Sequence, residues 1–126
     1  MTGIAARFFG SAIVYAILAM SLGLFMGITH DHTQMPTHAH FMLIGWVTFA
    51  IFAVFYHLFP AAAARPLAAL HFWLAQASFI AMIVGLALMF GGNDDAEPVV
   101  AASSIAMLVS MIVFGLVALP VIRGRP

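Results

Sequence analysis

The chain has 126 residues, of which 65% are hydrophobic and 6% are charged, and it contains neither Cys nor Lys. So apolar a composition excludes a soluble domain of this size, and the absence of Cys excludes disulfides, iron–sulfur clusters and thiolate metal sites. The formal net charge is +0 at pH 7. The charge balance therefore does not point to nucleic acid, and we predict no nucleic-acid partner.

Four apolar runs fill almost the whole chain, over about residues 4–29, 38–60, 67–90 and 98–122. Each run is long enough for a helix that crosses the core of a lipid bilayer, which takes about 20 residues. Arg7 precedes the apolar core of the first run, as a basic residue does in a signal peptide, but the run has no convincing small-residue cleavage site, so we expect a retained helix. Short connections make neighbouring helices antiparallel. The sequence predicts an all-α membrane protein, with one four-helix transmembrane domain over residues 1–126 in up-down-up-down order.

The charged residues predict how these helices are oriented. If the runs alternate in direction, all the arginines fall on one side and all the acidic residues on the other. The arginines are Arg7, Arg65, Arg123 and Arg125, and the acidic residues are Asp31, Asp94, Asp95 and Glu97. Because basic residues favour the cytoplasmic side, we predict that both termini are cytoplasmic in a bacterial inner membrane. The connection between the first two runs then faces the periplasm.

That connection carries most of the chemistry in the chain. The segment from His30 to His40, HDHTQMPTHAH, contains four of the six histidines. Two positions along a helix differ by about 200°, so His38 and His40 point to opposite sides and cannot bind the same metal ion. They suit one ligand in each of two sites, and haem is the natural candidate because its iron accepts an imidazole on each face. The alternative is that both imidazoles bind no cofactor and lie among lipid headgroups and water.

The other histidines leave alternatives open. His30 and His32 lie in the loop, where they are either solvated or metal ligands. With His38, His40 and nearby Met they also match the donors that copper prefers. The nearby methionines are Met26, Met35 and Met42.

Towards the cytoplasmic side, His57 ends the second run and is predicted to snorkel to the interface. His71 lies inside the third run, where it either bonds a neighbouring helix or carries a ligand, and a second site shared with His57 stays open. Small residues such as Gly45 on the second run permit close helix approach, as do Gly23 and Gly27, spaced as GxxxG on the first.

Two neighbouring segments resemble subunit I of the haem-copper oxidases. The motif HAHxxxxGW at residues 38–46, with YHLFP at 56–60, is similar to the oxidase helix that carries two haem-ligating histidines, and the nearest version is that of the cbb-type cytochrome oxidases. HFWLA at residues 71–75 resembles the helix that follows. The chain also resembles a group of short four-helix bacterial proteins similar to this subunit. Together the two segments cover about 40 residues.

The resemblance implies an assembly and a cofactor. In the large oxidases twelve helices form three arcs of four, so this chain would be one arc, and copies of it would form a homo-oligomer, with a trimer preferred. The resemblance further implies that His38 of one protomer and His40 of the next are the axial ligands of one b-type haem. Gly45 and Trp46 match positions that pack beside them.

The departures from the oxidase pattern limit the expected chemistry. No histidine follows His71, so the oxidase copper site has no counterpart, and full reduction of oxygen to water is not expected. The leading hypothesis is a b-type cytochrome that passes single electrons near the periplasmic face, to or from a quinol or a soluble partner. Whether the chain also catalyses an oxidoreductase reaction stays open, and an open haem position would bind oxygen or nitric oxide. The alternatives are a copper or zinc binding or transport protein and a cofactor-free assembly subunit.

Overall fold

The computed structural model describes residues 1–124, and every regular element in this range is a helix. Four helices are long and apolar enough to cross a membrane. They are α1 (Gly3–Thr29), α2 (Met35–Leu58), α3 (Pro66–Phe90) and α4 (Glu97–Ile122). The prediction of an all-α chain with four membrane-length helices is confirmed. Arg125, which contributed to the charge argument, lies outside the described residues.

The helices begin where the backbone chemistry favours a first turn. A proline occupies the first turn of α2, α3 and α4, where its missing N–H costs no hydrogen bond. Because α2 begins at Met35 and not near residue 38, its two histidines lie beyond the first three positions of the helix. A four-residue helix, Pro60–Ala63, joins α2 to α3, and a 3₁₀ turn, Asp94–Ala96, precedes α4.

The middle of α2 departs from α-helical geometry. From Phe41 to Thr48 its backbone follows a π-helix, a form that covers well under 1% of residues in proteins. The Thr48 hydroxyl donates to the Leu43 carbonyl, five residues back, at 2.8 Å. Gly45 lies within this segment, and a Cβ added there would lie 2.5 Å from Phe79 Cζ and 2.9 Å from Tyr15 Cβ. The π segment therefore brings the α2 backbone into close contact with α1 and α3.

The core consists mainly of aromatic side chains from α1, α2 and α3. Phe8, Phe49, Phe52, Tyr56 and Phe79 are almost fully buried. Several polar side chains within the bundle pair with one another, which lowers the cost of placing them in an apolar medium. Tyr15 of α1 donates to Gln76 Oε1 of α3, and Gln76 Nε2 donates to Ser11 Oγ at 2.7 Å. These bonds join α1 to α3 across the bundle.

Candidate functional site

His38 is held by α1 and not by its own helix. Its ring is half-buried, and Nδ1 donates to the Ala19 carbonyl oxygen at 2.8 Å. The ring also lies against Gly23, where a Cβ would come within 2.9 Å of His38 Cε1. A carbonyl can only accept, so Nδ1 carries the hydrogen, and in the neutral imidazole Nε2 keeps a free lone pair.

His40 has the same tautomer but a different acceptor. Its Nδ1 donates to the Pro36 carbonyl oxygen of α2 at 2.7 Å, which again leaves Nε2 with a lone pair in the neutral ring. The half-buried ring lines a small open pocket of about 140 Å³ with Ala39, Leu43 and Ile44. His38 thus contacts α1, while His40 lies beside residues of its own helix.

An imidazole whose Nδ1–H is bonded to a carbonyl is the usual form of a metal-ligating histidine. The hydrogen bond fixes the tautomer and the ring orientation, and it makes the other nitrogen a better donor to the metal. Both His38 and His40 meet this requirement. The chemistry of each imidazole fits one ligand of a haem iron.

The loop histidines do not join this pair into a single-chain metal cluster. His30 is the left-handed residue that ends α1, with φ 57°, and its side chain and that of His32 are exposed. Of the nearby methionines, Met26 is buried, Met42 is half-buried and Met35 is exposed. Within residues 1–124, no three His, Asp or Glu side chains are grouped so that they could hold a metal ion.

His71 lies in a closed aromatic environment. It is 0% exposed, and its ring lies 4.5 Å from Phe52, 5.1 Å from Phe8 and 5.3 Å from Phe114, between ring centroids. Nδ1 forms a hydrogen bond of 2.9 Å with the Tyr56 hydroxyl. Nε2 has no hydrogen-bond partner among the described residues. His71 therefore joins α2 to α3, one of the two roles left open by the sequence.

His57 lies apart from His71. Its side chain is exposed, and it lines an open pocket of about 480 Å³ at the N-terminal end of α1, together with Tyr56 and Pro60. The residue that meets His71 is thus Tyr56, the direct neighbour of His57.

Gly45 and Trp46 lie next to each other but in different surroundings. Gly45 is buried against Tyr15 and Phe79, as described above. Trp46 is half-buried, with its ring centroid 6.4 Å from that of Phe9. It lines an open apolar groove of about 360 Å³ on α2, whose other walls are Val47, Ala50, Ile51 and Val54.

Sequence reasoning missed two contacts that the histidines make. The GxxxG spacing indicated that something approaches α1 closely, but it did not identify the His38 ring as the group at Gly23. Tyr56 was noted only as part of a motif, and its bond to His71 depends on how α2 and α3 are rotated. The sequence offered one signal for this bond: Tyr56 lies near the end of the second apolar run, and His71 lies near the start of the third.

Comparison of the chain with protein-family models, with curated proteins and with solved structures finds no match. No relative therefore assigns a role to His38 or His40.

Proposed function

We propose that this chain is a membrane-embedded b-type haem protein that transfers single electrons near the periplasmic face of a bacterial inner membrane. The observation that carries the proposal is the matched state of His38 and His40. Each donates Nδ1–H to a backbone carbonyl, at 2.8 Å and 2.7 Å, and so keeps Nε2 free to bind iron. The haem would supply a reversible one-electron couple at its iron.

The two imidazoles serve different haems within one chain. Residues two apart on a helix differ in direction by about 200°, so one iron cannot lie between them. His38 contacts α1, whereas His40 lines a pocket formed by α2 alone. A second copy of the chain therefore completes each site: His38 of one protomer and His40 of the next hold one haem. A homotrimer, with each chain as one arc of the haem-copper oxidase subunit I plan, accommodates this sharing.

The residues around the ligands would provide an apolar environment for the macrocycle. The groove beside Trp46 follows His40 along α2 and is lined by apolar side chains. Apolar and aromatic walls suit a flat cofactor and keep water from the iron. With an imidazole from His38 and another from His40 as its ligands, the haem would carry electrons and would have no open position for gas. Its partner would be a quinol in the bilayer or a soluble electron carrier.

Contacts between the helices support the proposed up-down-up-down order. His38, near the start of α2, meets Ala19, past the middle of α1, whereas Tyr56, near the end of α2, stacks on Phe8, early in α1. Gln34, just before α2, donates to the Ala87 carbonyl near the end of α3 at 3.1 Å. With this order, Arg7 and Arg65 lie at the end opposite Asp31, so the charge distribution favours cytoplasmic termini.

The first experiment is an absorption spectrum of the protein purified from a haem-replete host. We expect a Soret band and a reduced α-band typical of a six-coordinate b-type haem. His38→Ala and His40→Ala, made singly, should each lose this spectrum, while the matched control His57→Ala should keep it. A colourless protein that contains stoichiometric copper or zinc would overturn the proposal.

Co-expression of the two single variants tests whether protomers share the haem. A mixed oligomer contains interfaces in which His38 comes from the His40→Ala chain and His40 comes from the His38→Ala chain. These interfaces should regain part of the six-coordinate spectrum that each variant lacks alone. If both ligands came from one chain, mixing would restore nothing. A monomer in detergent that retains full haem would contradict the shared site.

A further inference from the structure

Two glycines one turn apart on α1 differ in what lies against them. A Cβ on Gly23 would meet three atoms of the His38 ring, at 2.9, 3.2 and 3.6 Å. A Cβ on Gly27 would have no atom of the described chain within 4 Å, apart from its own helix backbone. The GxxxG pattern is therefore not symmetric, because its first glycine alone accommodates another side chain.

The space at Gly23 is what lets the His38 ring reach its acceptor. The Ala19 carbonyl lies one turn before Gly23 on the same helix, so a ring that bonds this oxygen must lie across the surface at residue 23. A methyl group 2.9 Å from Cε1 is closer than carbon atoms pack, at about 3.5–4.0 Å. An alanine would push the imidazole away from α1 and lengthen or break the bond from Nδ1 to Ala19.

We infer that Gly23 is the positioning residue for His38: with the Ala19 carbonyl it fixes the tautomer and the plane of this ring, and so the direction of Nε2. The metal-binding role of the ring rests on the proposed function, but its placement by Gly23 does not. His40 needs no such residue on another helix, because its acceptor, the Pro36 carbonyl, belongs to α2. Movement of α1 against α2 would therefore displace the His38 ring and leave the His40 ring in place.

The first test needs no cofactor. The haem-free full-length protein, labelled with ¹⁵N-histidine and placed in lipid nanodiscs, should show His38 protonated at Nδ1 and unprotonated at Nε2 at a pH where the ring is neutral. Gly23→Ala should replace this single tautomer with a mixture, while Gly27→Ala should leave it unchanged. A Gly23→Ala protein with the wild-type tautomer would overturn the inference.

A double-mutant cycle keeps the inference testable if Gly23→Ala folds poorly. In the His38→Ala background the ring is gone, so the added methyl group at residue 23 meets no imidazole. Gly23→Ala should therefore lower the thermal midpoint less in the His38→Ala background than in the wild-type chain. This difference is the coupling expected of two residues in contact. Equal losses in both backgrounds would show that Gly23 matters for some other reason.

The last test connects the placement of the ring to the proposed haem. Groups that orient a metal-ligating histidine typically change metal affinity by about 10- to 100-fold when altered. We expect Gly23→Ala to weaken haem binding by a factor in this range, and Gly27→Ala to leave it within about 2-fold. Unchanged affinity in Gly23→Ala would contradict the inference. A wild-type protein that binds no haem would contradict the proposed function, while the tautomer measurement would still decide the role of Gly23.

Discussion

Histidines lie at both ends of α2, and the groups that surround them differ between the two ends. Near the start, the half-buried rings of His38 and His40 donate to backbone carbonyls. Near the end, Tyr56 bonds the fully buried His71 of α3, and phenylalanine rings enclose the pair. One end leaves two ring nitrogens free on half-buried rings, whereas the other encloses its ring on all sides.

The two surroundings differ in how they fix the tautomer of the ring and in how accessible the ring is. A backbone carbonyl is always an acceptor, so it fixes which imidazole nitrogen carries the hydrogen. A tyrosine hydroxyl donates or accepts, so the Tyr56 bond is compatible with either tautomer of His71. His71 is the most buried histidine, yet its free nitrogen faces a packed core. His38 and His40 combine a fixed tautomer with access from outside the chain.

The largest expected effect on stability comes from His71→Ala. This change removes a ring from a packed aromatic core and leaves the Tyr56 hydroxyl without its partner. By analogy with large-to-small changes in other cores, it should lower the free energy of unfolding by about 3 kcal/mol. His40→Ala, on a half-buried ring, should cost less than about 1 kcal/mol. Reversible unfolding in mixed detergent micelles measures both.

A milder change at the same pair separates packing from hydrogen bonding. Tyr56→Phe keeps the ring and removes only the hydroxyl, so we expect a loss of about 1 kcal/mol. If His71→Ala proved no more costly than His40→Ala, the contrast between the two ends of α2 would fail. If Tyr56→Phe cost as much as His71→Ala, the bond and not the aromatic packing would be the main contribution.

An effect between those of Tyr56→Phe and His71→Ala is expected at Gly45, which lies between the two ends of α2. Gly45→Ala would place a methyl group 2.5 Å from Phe79 Cζ, and overpacking of this kind usually costs about 1–3 kcal/mol. Gly10→Ala is the matched control, because a Cβ on Gly10 would meet no atom of the described chain within 4 Å outside its own helix backbone. The same unfolding measurement applies. Equal stability of the two variants would show that α2 does not need close approach at Gly45.

The four helices could be predicted from the sequence because the thickness of a bilayer sets the length of a helix that crosses it. Four apolar runs of membrane length became four helices, with most ends within a few residues of the prediction. The largest difference is at α2, which starts at Met35 because Pro36 is accommodated in the first turn. The π segment, Phe41–Thr48, could not be predicted, since five-residue backbone bonding has no distinctive residue pattern.

The candidate site was predictable only as far as one helix determines it. The separation of His38 from His40 follows from helix geometry, so it could be argued without a structure. The contact between His38 and Gly23 depends on the rotation and depth of α1 against α2. The bond between Tyr56 and His71 likewise depends on how α3 packs against α2. Such contacts join residues far apart in the sequence, and hydropathy does not specify them.

The smallest expected effect concerns the third group of histidines, in the loop before α2. Between His30 and His32, the exposed Asp31 carboxylate accepts bonds from the Thr33 hydroxyl and from the Thr33 amide, the latter at 3.0 Å. These two bonds favour the charged form and lower the pKa of Asp31 below its usual value of 3.8.

Because the folded pKa of Asp31 lies below the unfolded value, its contribution to the loop is fully present above pH 3.8 and is lost as the pH falls through the folded pKa. The Thr33 amide should therefore exchange faster with solvent, after correction for intrinsic rates, as the pH is lowered through this range. Asp31→Asn keeps an acceptor oxygen but cannot titrate, so its corrected exchange should not change with pH. This substitution should not alter the bond from His38 Nδ1 to Ala19, which lies on another element. A loop variant that shifted the His38 tautomer would show that the loop and the start of α2 form one site, and the division of the histidines into separate groups would be wrong.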